Sequence, residues 1–244
     1  MNIYETPKLL AEYLLFHYGE PREILPWDFG PASALGFAER SVTELLDRNL
    51  VPENATALDL GCAVGRSCYE LAAVCTGVLG IDYSQSFVDA AEKIRVEGQL
   101  DYPRADEAQK QSVLTALRPK TGDAAAIRFE QGDAMALRED LGSFDIVHAA
   151  NLLCRLTEPK RLLERLPSLV KPGGQLLLTT PCTWLEEYTP PVNWPQGSTF
   201  DWLQAELRAH FTLAQQTDLP FLIREHARKF QWSVAMGTCW IRKA

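Results

Sequence analysis

Between Thr56 and Thr180 the chain repeats one pattern, and that pattern limits the folds open to it. Five short apolar runs (TALDLG, GVLGIDY, IRFEQGDA, FDIVHAANLL and QLLLTT) are interleaved with helical stretches at Arg66–Val74, Gln85–Glu97 and Pro159–Leu169. Apolar strands joined by helices need crossover connections, and such crossovers build a parallel sheet covered on both faces. A polar insert, 98–126, separates the second and third runs and reads as one exposed, mobile helix. Beyond the fifth run, residues 181–198 hold four prolines and two tryptophans in eighteen residues, which excludes a helix or a central strand. A helix at Phe200–His210 follows, then two β-like runs, Thr212–Thr217 and Gln231–Ile241, expected to form an antiparallel hairpin at the sheet edge. Residues 1–50 are helical and aromatic: Lys8–Tyr18 places Leu10, Leu14 and Tyr18 on one face, and Ala38–Leu50 returns to a helical period.

Composition narrows the partners. The 244 residues carry 24 Lys+Arg against 32 Asp+Glu, a formal charge of −8, which disfavours nucleic acid and anionic membrane. No apolar stretch is long enough to span a bilayer, and the start MNIYETPKLLAEYLL lacks the basic region and cleavage site of a signal peptide. Six cysteines without a CxxC pair read as reduced thiols in a cytoplasmic protein. Cys62 and Cys68 are read as small buried residues rather than nucleophiles. Histidines at 17, 148, 210 and 226 form no HxxxHxE-type set, so no metal is expected.

The chemistry concentrates at strand ends. ALDLGCAVGRS runs from a strand through a turn with Gly61, Ala63 and Gly65 to a helix start near Arg66, itself read as facing solvent. Small residues there let backbone N–H groups approach a ligand. Dinucleotide-binding proteins use such a turn too, but Asp59, two residues before Gly61, would repel a pyrophosphate and favour a ligand bearing an ammonium group. S-adenosylmethionine (SAM) carries a sulfonium and an ammonium and no phosphate. Asp82 ends the second strand beside Tyr83, where a carboxylate would receive two ribose hydroxyls through charged hydrogen bonds of roughly 1.5–3 kcal/mol. Asp133 and Ala134 (QGDA) end the third strand, placed for an adenine amino group, and Ala149, Ala150 and Asn151 end the fourth. In an open α/β sheet the ligand crevice lies at these carboxyl ends.

Together LDLGCAVG, GID, QGDA, DIVHAANLL and KPGG resemble the Rossmann-like class I SAM-dependent methyltransferases. The resemblance implies a seven-stranded, mostly parallel sheet with an antiparallel last strand and a helical N-terminal lid. It divides the chain into a lid and substrate segment, 1–50, and a SAM-binding domain, 51–244, with 181–198 as a substrate loop. It also implies SAM as cofactor, with S-adenosylhomocysteine (SAH) as its product. The flanks, YETPKLLAEYLLFHYGEPREILPWDFGP and HARKFQWSVAMGTCWIRK, resemble the methyltransferase module of ovothiol biosynthesis. That module methylates an imidazole nitrogen of 5-thiohistidine, and here it would be a stand-alone form acting downstream of a separate sulfoxide synthase and a lyase. The alternatives are a class I enzyme for another amino-acid-like small molecule and a non-catalytic SAM-fold protein.

Such an acceptor calls for a dry aromatic pocket and a cation. Tyr4, Tyr13, Phe16, Tyr18, Trp27 and Phe29 are candidates to wall the pocket, while Leu10, Leu14 and Phe16 also read as packing. Tyr13, His17, Tyr18 and Asn151 are the candidate catalytic residues. Tyr4, Arg155, Arg228 and Gln231 are the candidate substrate-binding residues, with Arg228, from the charged run before the last strand, favoured for the acceptor carboxylate.

Overall fold

A computed structural model describes residues 3–244. The strand runs form β1 (Thr56–Leu60), β2 (Gly77–Asp82), β5 (Ile127–Gln131), β6 (Phe144–Ala150) and β7 (Val170–Thr180), with β3 (Gln99–Glu107) and β4 (Lys110–Leu117) in the insert. The chain closes with β8 (Phe211–His226) and β9 (Lys229–Arg242). The main sheet has seven strands in the order β5-β2-β1-β6-β7-β9-β8. β9 alone runs antiparallel, against β7 on one side and β8 on the other. The chain order reverses at β1, so the crevice beyond the carboxyl ends of β1, β2 and β6 is the topological switch point.

Successive strand residues point to opposite faces, and both faces are covered. On one side Leu58, Leu60, Val147, Leu176 and Trp240 pack against helices α6 (Pro159–Leu169) and α7 (Thr199–Leu207). On the other, Ala57, Val78, Ile146 and Leu177 meet α3 (Phe37–Thr43) and α4 (Arg66–Ala72). α3 is shorter than the expected Ala38–Leu50, because the chain turns after Thr43 and re-enters a helical turn only at Arg48–Leu50.

A third core lies under α1 (Pro7–Tyr18). There Leu14, Leu15 and Leu222, with Ile24 of the short α2 (Pro21–Ile24), join Ala63 and Val64 of the glycine turn, and Phe87 and Ile94 of α5 (Gln85–Glu97). α1 starts on Thr6, whose side chain accepts from the Leu9 N–H, and Pro7 occupies the first turn, where no N–H is needed.

The insert corrects the expectation of an exposed helix: β3 and β4 form an antiparallel hairpin. Its inner face alternates through Leu100, Tyr102, Leu114 and Ala116, which join the third core. Polar residues at the other inward positions, Arg104, Asp106 and Ser112, mask this period of two, while Ala, Gln, Lys and Glu suggest a helix. Those polar residues bind one another, and Arg104 also donates to the Glu23 carbonyl. The late hairpin is where the alternation puts it, but its strands are longer than read. Thr180 at the end of β7 pairs with Met236, so residues 229–235 of β9 project past the carboxyl edge.

Candidate active site

The turn after β1 is built by left-handed backbone at Gly61 (φ 68°), Ala63 (φ 49°) and Gly65 (φ 83°). A Cβ on Gly65 would lie 2.5 Å from Phe129 Cζ, so packing as well as φ requires glycine there, whereas at Gly61, where a Cβ would lie 3.0 Å from the end of the Leu152 side chain, φ is the main constraint. Ala63 holds the same conformation with a side chain. Its N–H donates to Asp82 Oδ2 at 2.8 Å, which ties the turn to the end of β2.

Asp82 Oδ1 accepts from the Ser84 N–H at 2.9 Å. Burial pushes its carboxyl up to about 6, against the lowering effect of these two N–H groups. A carboxylate has about four acceptor sites, so further lone pairs remain for hydroxyl donors. Asp133 Oδ1 takes the Met135 N–H at 2.8 Å. Tyr83 is 61% exposed, and Ala134 and Ala149 are packed in the sheet core. The side chain of Ala149 therefore faces its core neighbours, and the expected cofactor contact does not follow from its position.

Asp59 departs most from expectation. Rather than facing a ligand ammonium, its side chain is 1% exposed, with Oδ1 2.7 Å from His148 Nδ1 and Oδ2 accepting from Ser67 Oγ (2.6 Å) and Cys68 Sγ. Burial opposes its charge, but the His148 ring and these donors hold the carboxyl below its usual range. The cause is register: Asp59 and His148 are cross-strand partners in β1 and β6. Ser41 of α3 lies 3.1 Å from the other ring nitrogen. Arg66, expected at the surface, is 8% exposed and bound to Glu70 (2.8 Å) and Glu39. Cys62 and Cys68 are buried, as read.

Over this crevice sits the cap. Tyr18 Oη donates to the Val64 carbonyl at 2.7 Å, fixing the end of α1 on the glycine turn. The Tyr4 carbonyl accepts from Ser84 and Ser86, and Glu5 caps the first N–H groups of α5. Tyr4 and Tyr13 meet edge to face at 6.1 Å, and Tyr13 lies 4.9 Å from Phe87. His17 is half-buried, its Nδ1 is buried without a partner among the described residues, and burial drives its pKa down to about 3. That imidazole stays neutral near pH 7 and is too weakly basic to hold a transferred proton, so it can orient an acceptor rather than deprotonate it.

Asn151, after β6, adopts φ 53°, a conformation Asn tolerates, and its side-chain oxygen accepts from Thr179 Oγ1 at 2.9 Å. Arg155 lies under Tyr188, with Cζ 4.4 Å from the ring centroid. The phenols of Tyr4, Tyr13 and Tyr188 lie within electrostatic reach of one another and of Arg155. Tyr4, Tyr13, Arg155 and Tyr188 thus form one group. Tyr188 was not picked out from the sequence; the only available signal was its being the single tyrosine of the proline-rich segment.

Arg228 and Gln231 are not part of that group. Arg228 is exposed in the turn between β8 and β9, where its N–H donates to His226 Nδ1, and Gln231 binds Glu225. Arg224, beside them in sequence, is buried and donates to the Glu23 and Ile24 carbonyls. Trp27 stacks on Phe29 and meets Phe230, and Phe29 is 72% exposed, so this pair covers the outer hairpin rather than the tyrosine group.

Two carboxylates at adjacent strand ends, a glycine turn and a cation already taken by Glu39 and Glu70 suit a positively charged, phosphate-free ligand. A sheet of this order with that turn at its switch point defines a class, the Rossmann-like class I SAM-dependent methyltransferases. The chain belongs to the methyltransferase-domain family Methyltransf_23, which it matches over residues 34–228. It is 30% identical over 157 residues to a ubiquinone biosynthesis O-methyltransferase of Xanthomonas axonopodis pv. citri, covering 63% of this chain and 55% of that protein. The chain thus spans about half the length of the curated relatives it matches. Among solved structures, the [4+2]-cyclase SpnF superimposes with a TM-score of 0.61 at 16% identity, over 99% of this chain and 95% of that one. The N-methyltransferase NodS of Bradyrhizobium japonicum gives 0.54 at 16%, over 84% and 96%. At such identities the likeness concerns the fold. Among the described residues no cluster of metal-ligating side chains occurs, and no helix is long and apolar enough to cross a membrane.

Proposed function

We propose that this methyltransferase acts on an imidazole ring nitrogen of 5-thiohistidine, as in ovothiol biosynthesis. The observation that carries the reading is the meeting of the two flanks whose sequences resemble that module. Tyr4, Tyr13 and Trp27 from the first and Phe230 from the second share one core, and that core includes Ala63 and Val64 of the cofactor turn. Residues of both flanks are therefore packed in one core with the turn that would hold the methyl donor.

SAM, when bound, would supply an electrophilic methyl carbon on a sulfonium, with SAH as the leaving product. Asp82 would hold the ribose and Asp133 the adenine. Tyr13, His17, Tyr18 and Asn151 frame the acceptor. Ionised sulfur on the ring makes the nitrogen electron-rich, so little base catalysis is required, consistent with the weakly basic His17. Attack of an anion on a cation neutralises charge, which a pocket closed by aromatics favours over water. In-line positioning can then supply up to ~7–11 kcal/mol of the barrier lowering. The segments 1–50 and 181–198 act as lid and substrate loop in this reading. The protein works in the cytoplasm, after a separate sulfoxide synthase and a lyase have made the thiol.

Incubation with SAM and 5-thiohistidine, read by mass spectrometry and ring NMR, should show one added methyl on a ring nitrogen. Histidine, ergothioneine and cysteine should stay unreacted. Equal methylation of histidine, or none of 5-thiohistidine, would sink the assignment.

A further inference from the structure

Arg155 has one buried guanidinium nitrogen with no acceptor among the described residues. It ends the single helical turn Leu153–Arg155 that follows β6, beside Asn151. Its Nη1 is buried and, among the described residues, lacks a hydrogen-bond partner. No carboxylate among the described residues forms an ion pair with it, whereas Arg66 has Glu39 and Glu70, and Arg104 has Asp106. Arg224, also buried, is satisfied by backbone carbonyls.

The groups that act on Arg155 are Cys154, Tyr4, Tyr188 and Tyr13. Burial raises all four above their ordinary values, so at neutral pH each is uncharged. A phenol neutralises nothing, but its O–H is a donor. One fork-shaped cation ringed by three neutral phenols therefore has no counter-charge among the described residues. Leaving a buried charged donor unpaired is among the costlier defects a fold can carry. The defect disappears if a bound anion supplies the missing acceptor, and guanidinium recognises carboxylate and similar anions better than ammonium does.

We propose that Arg155, with the hydroxyls of Tyr4, Tyr13 and Tyr188 around it, is the anion subsite of the acceptor pocket. The methyl acceptor is thus a small molecule that enters carrying a thiolate or a carboxylate, and Arg155 and Tyr188 take the role for which Arg228 was favoured from the sequence. This inference rests on reading the crevice under the cap as the acceptor site.

The test uses the full chain saturated with SAH or supplied with SAM, and the variants Arg155→Gln, Arg155→Lys and Tyr188→Phe. SAH affinity within about twofold of wild type certifies each variant as folded. Arg155→Gln should raise the KM for 5-thiohistidine by roughly tenfold or more, the worth of one charge-assisted hydrogen bond, with a smaller change in kcat. Arg155→Lys should fall between it and wild type, and Tyr188→Phe should show a loss of a few-fold. Assays on the decarboxylated amine locate the anion. A penalty that vanishes with the amine assigns Arg155 to the carboxylate, and one that persists assigns it to the sulfur. An unchanged KM in Arg155→Gln overturns the subsite.

A second measurement separates the subsite from the identity of the substrate. Tyrosine fluorescence of the SAH-bound protein is followed during titration with sodium thiocyanate and with sodium acetate. A saturable response lost in Arg155→Gln supports the subsite even if 5-thiohistidine proves not to be methylated. No saturable response together with no turnover of 5-thiohistidine overturns it.

Discussion

The two halves of the molecule are stabilised by different means. Around the sheet, aliphatic side chains such as Leu58, Leu60, Leu162, Leu166, Leu176 and Leu177 are completely enclosed, and the buried polar groups Asp59, His148, Ser41 and Ser67 satisfy one another. Beneath α1 the core is aromatic and shallower: Leu14 and Leu15 are buried, but Tyr4, Leu10, Tyr13, Tyr18, Trp27 and Phe230 are only partly so. Of the buried side-chain atoms without a partner among the described residues, those of Glu12, His17, Tyr102 and Arg155 belong to the cap or to the elements beside it. In the sheet layers only Tyr69 Oη is in that position. A region that satisfies its own polar groups gains little from a ligand. One that leaves donors and acceptors open gains a great deal, and it opens at lower cost because less apolar surface is at stake.

The largest effect should come from breaking the sheet's polar chain. His148→Leu leaves the Asp59 carboxylate buried without its main partner, and loss of one member of such a pair costs about 3–5 kcal/mol. Urea denaturation should show that loss in a single transition of the whole protein. A loss below about 1 kcal/mol, the level of an exposed pair, would mean that the sheet is not the self-sufficient half.

Next in size is Asp82→Ala, at the boundary of the two halves. SAH affinity should fall at least tenfold, or about 1.4 kcal/mol, when the ribose acceptor is removed. Because burial raises this carboxyl to about 6, SAH binding in the native protein should weaken as pH falls through that value. Asp82→Asn should remove that pH dependence in calorimetric titrations, and its persistence would move the titrating group elsewhere.

The cap has its own acid response, of opposite sign to that of Asp82. His17 is depressed to about 3 by burial, so below its unfolded value of 6.5 the unfolded chain takes up a proton that the native state refuses. Stability from this group is present above 6.5 and falls on acidification, by at most about 1.4 kcal/mol per pH unit. Asp82, raised in the native state, gains relative stability over part of the same range and partly hides the effect. The informative quantity is therefore the difference between wild type and His17→Phe, which should grow from pH 7 to pH 5 in favour of the variant. Parallel pH curves would show that His17 is not confined by the cap.

The same division explains what could be read from the sequence. The succession of strands along the chain and the strand ends were legible because apolar runs ending near Gly61, Asp82 and Asp133 alternate with helical stretches. Helices α5 and α6 begin and end where their periodicity places them. The environment of Asp59 was not legible, because its partner His148 is brought beside it by β1–β6 register, which no local pattern encodes. The insert was misread because its inward positions hold Arg104, Asp106 and Ser112, which hide alternation. Arg155 could be named from its place after the fourth strand, but Tyr188 could not, since only folding brings it over the guanidinium.

The smallest predicted change distinguishes the halves most directly. Tyr18→Phe keeps the ring in the third core and removes only the hydroxyl that donates to Val64. A part-buried hydrogen bond of this kind contributes about 1 kcal/mol, and its loss leaves one carbonyl of the glycine turn without that donor. If the cap is a separately opening unit, hydrogen exchange should quicken in α1 by roughly fivefold, as that energy implies, while the slowest amides of β1, β6 and β7 keep their rates. Bound SAH should restore protection in α1, because the turn that Tyr18 grips is the turn expected to hold the cofactor. Equal acceleration in α1 and in the central strands would mean that cap and sheet open together, and the contrast between their cores would then have no dynamic consequence.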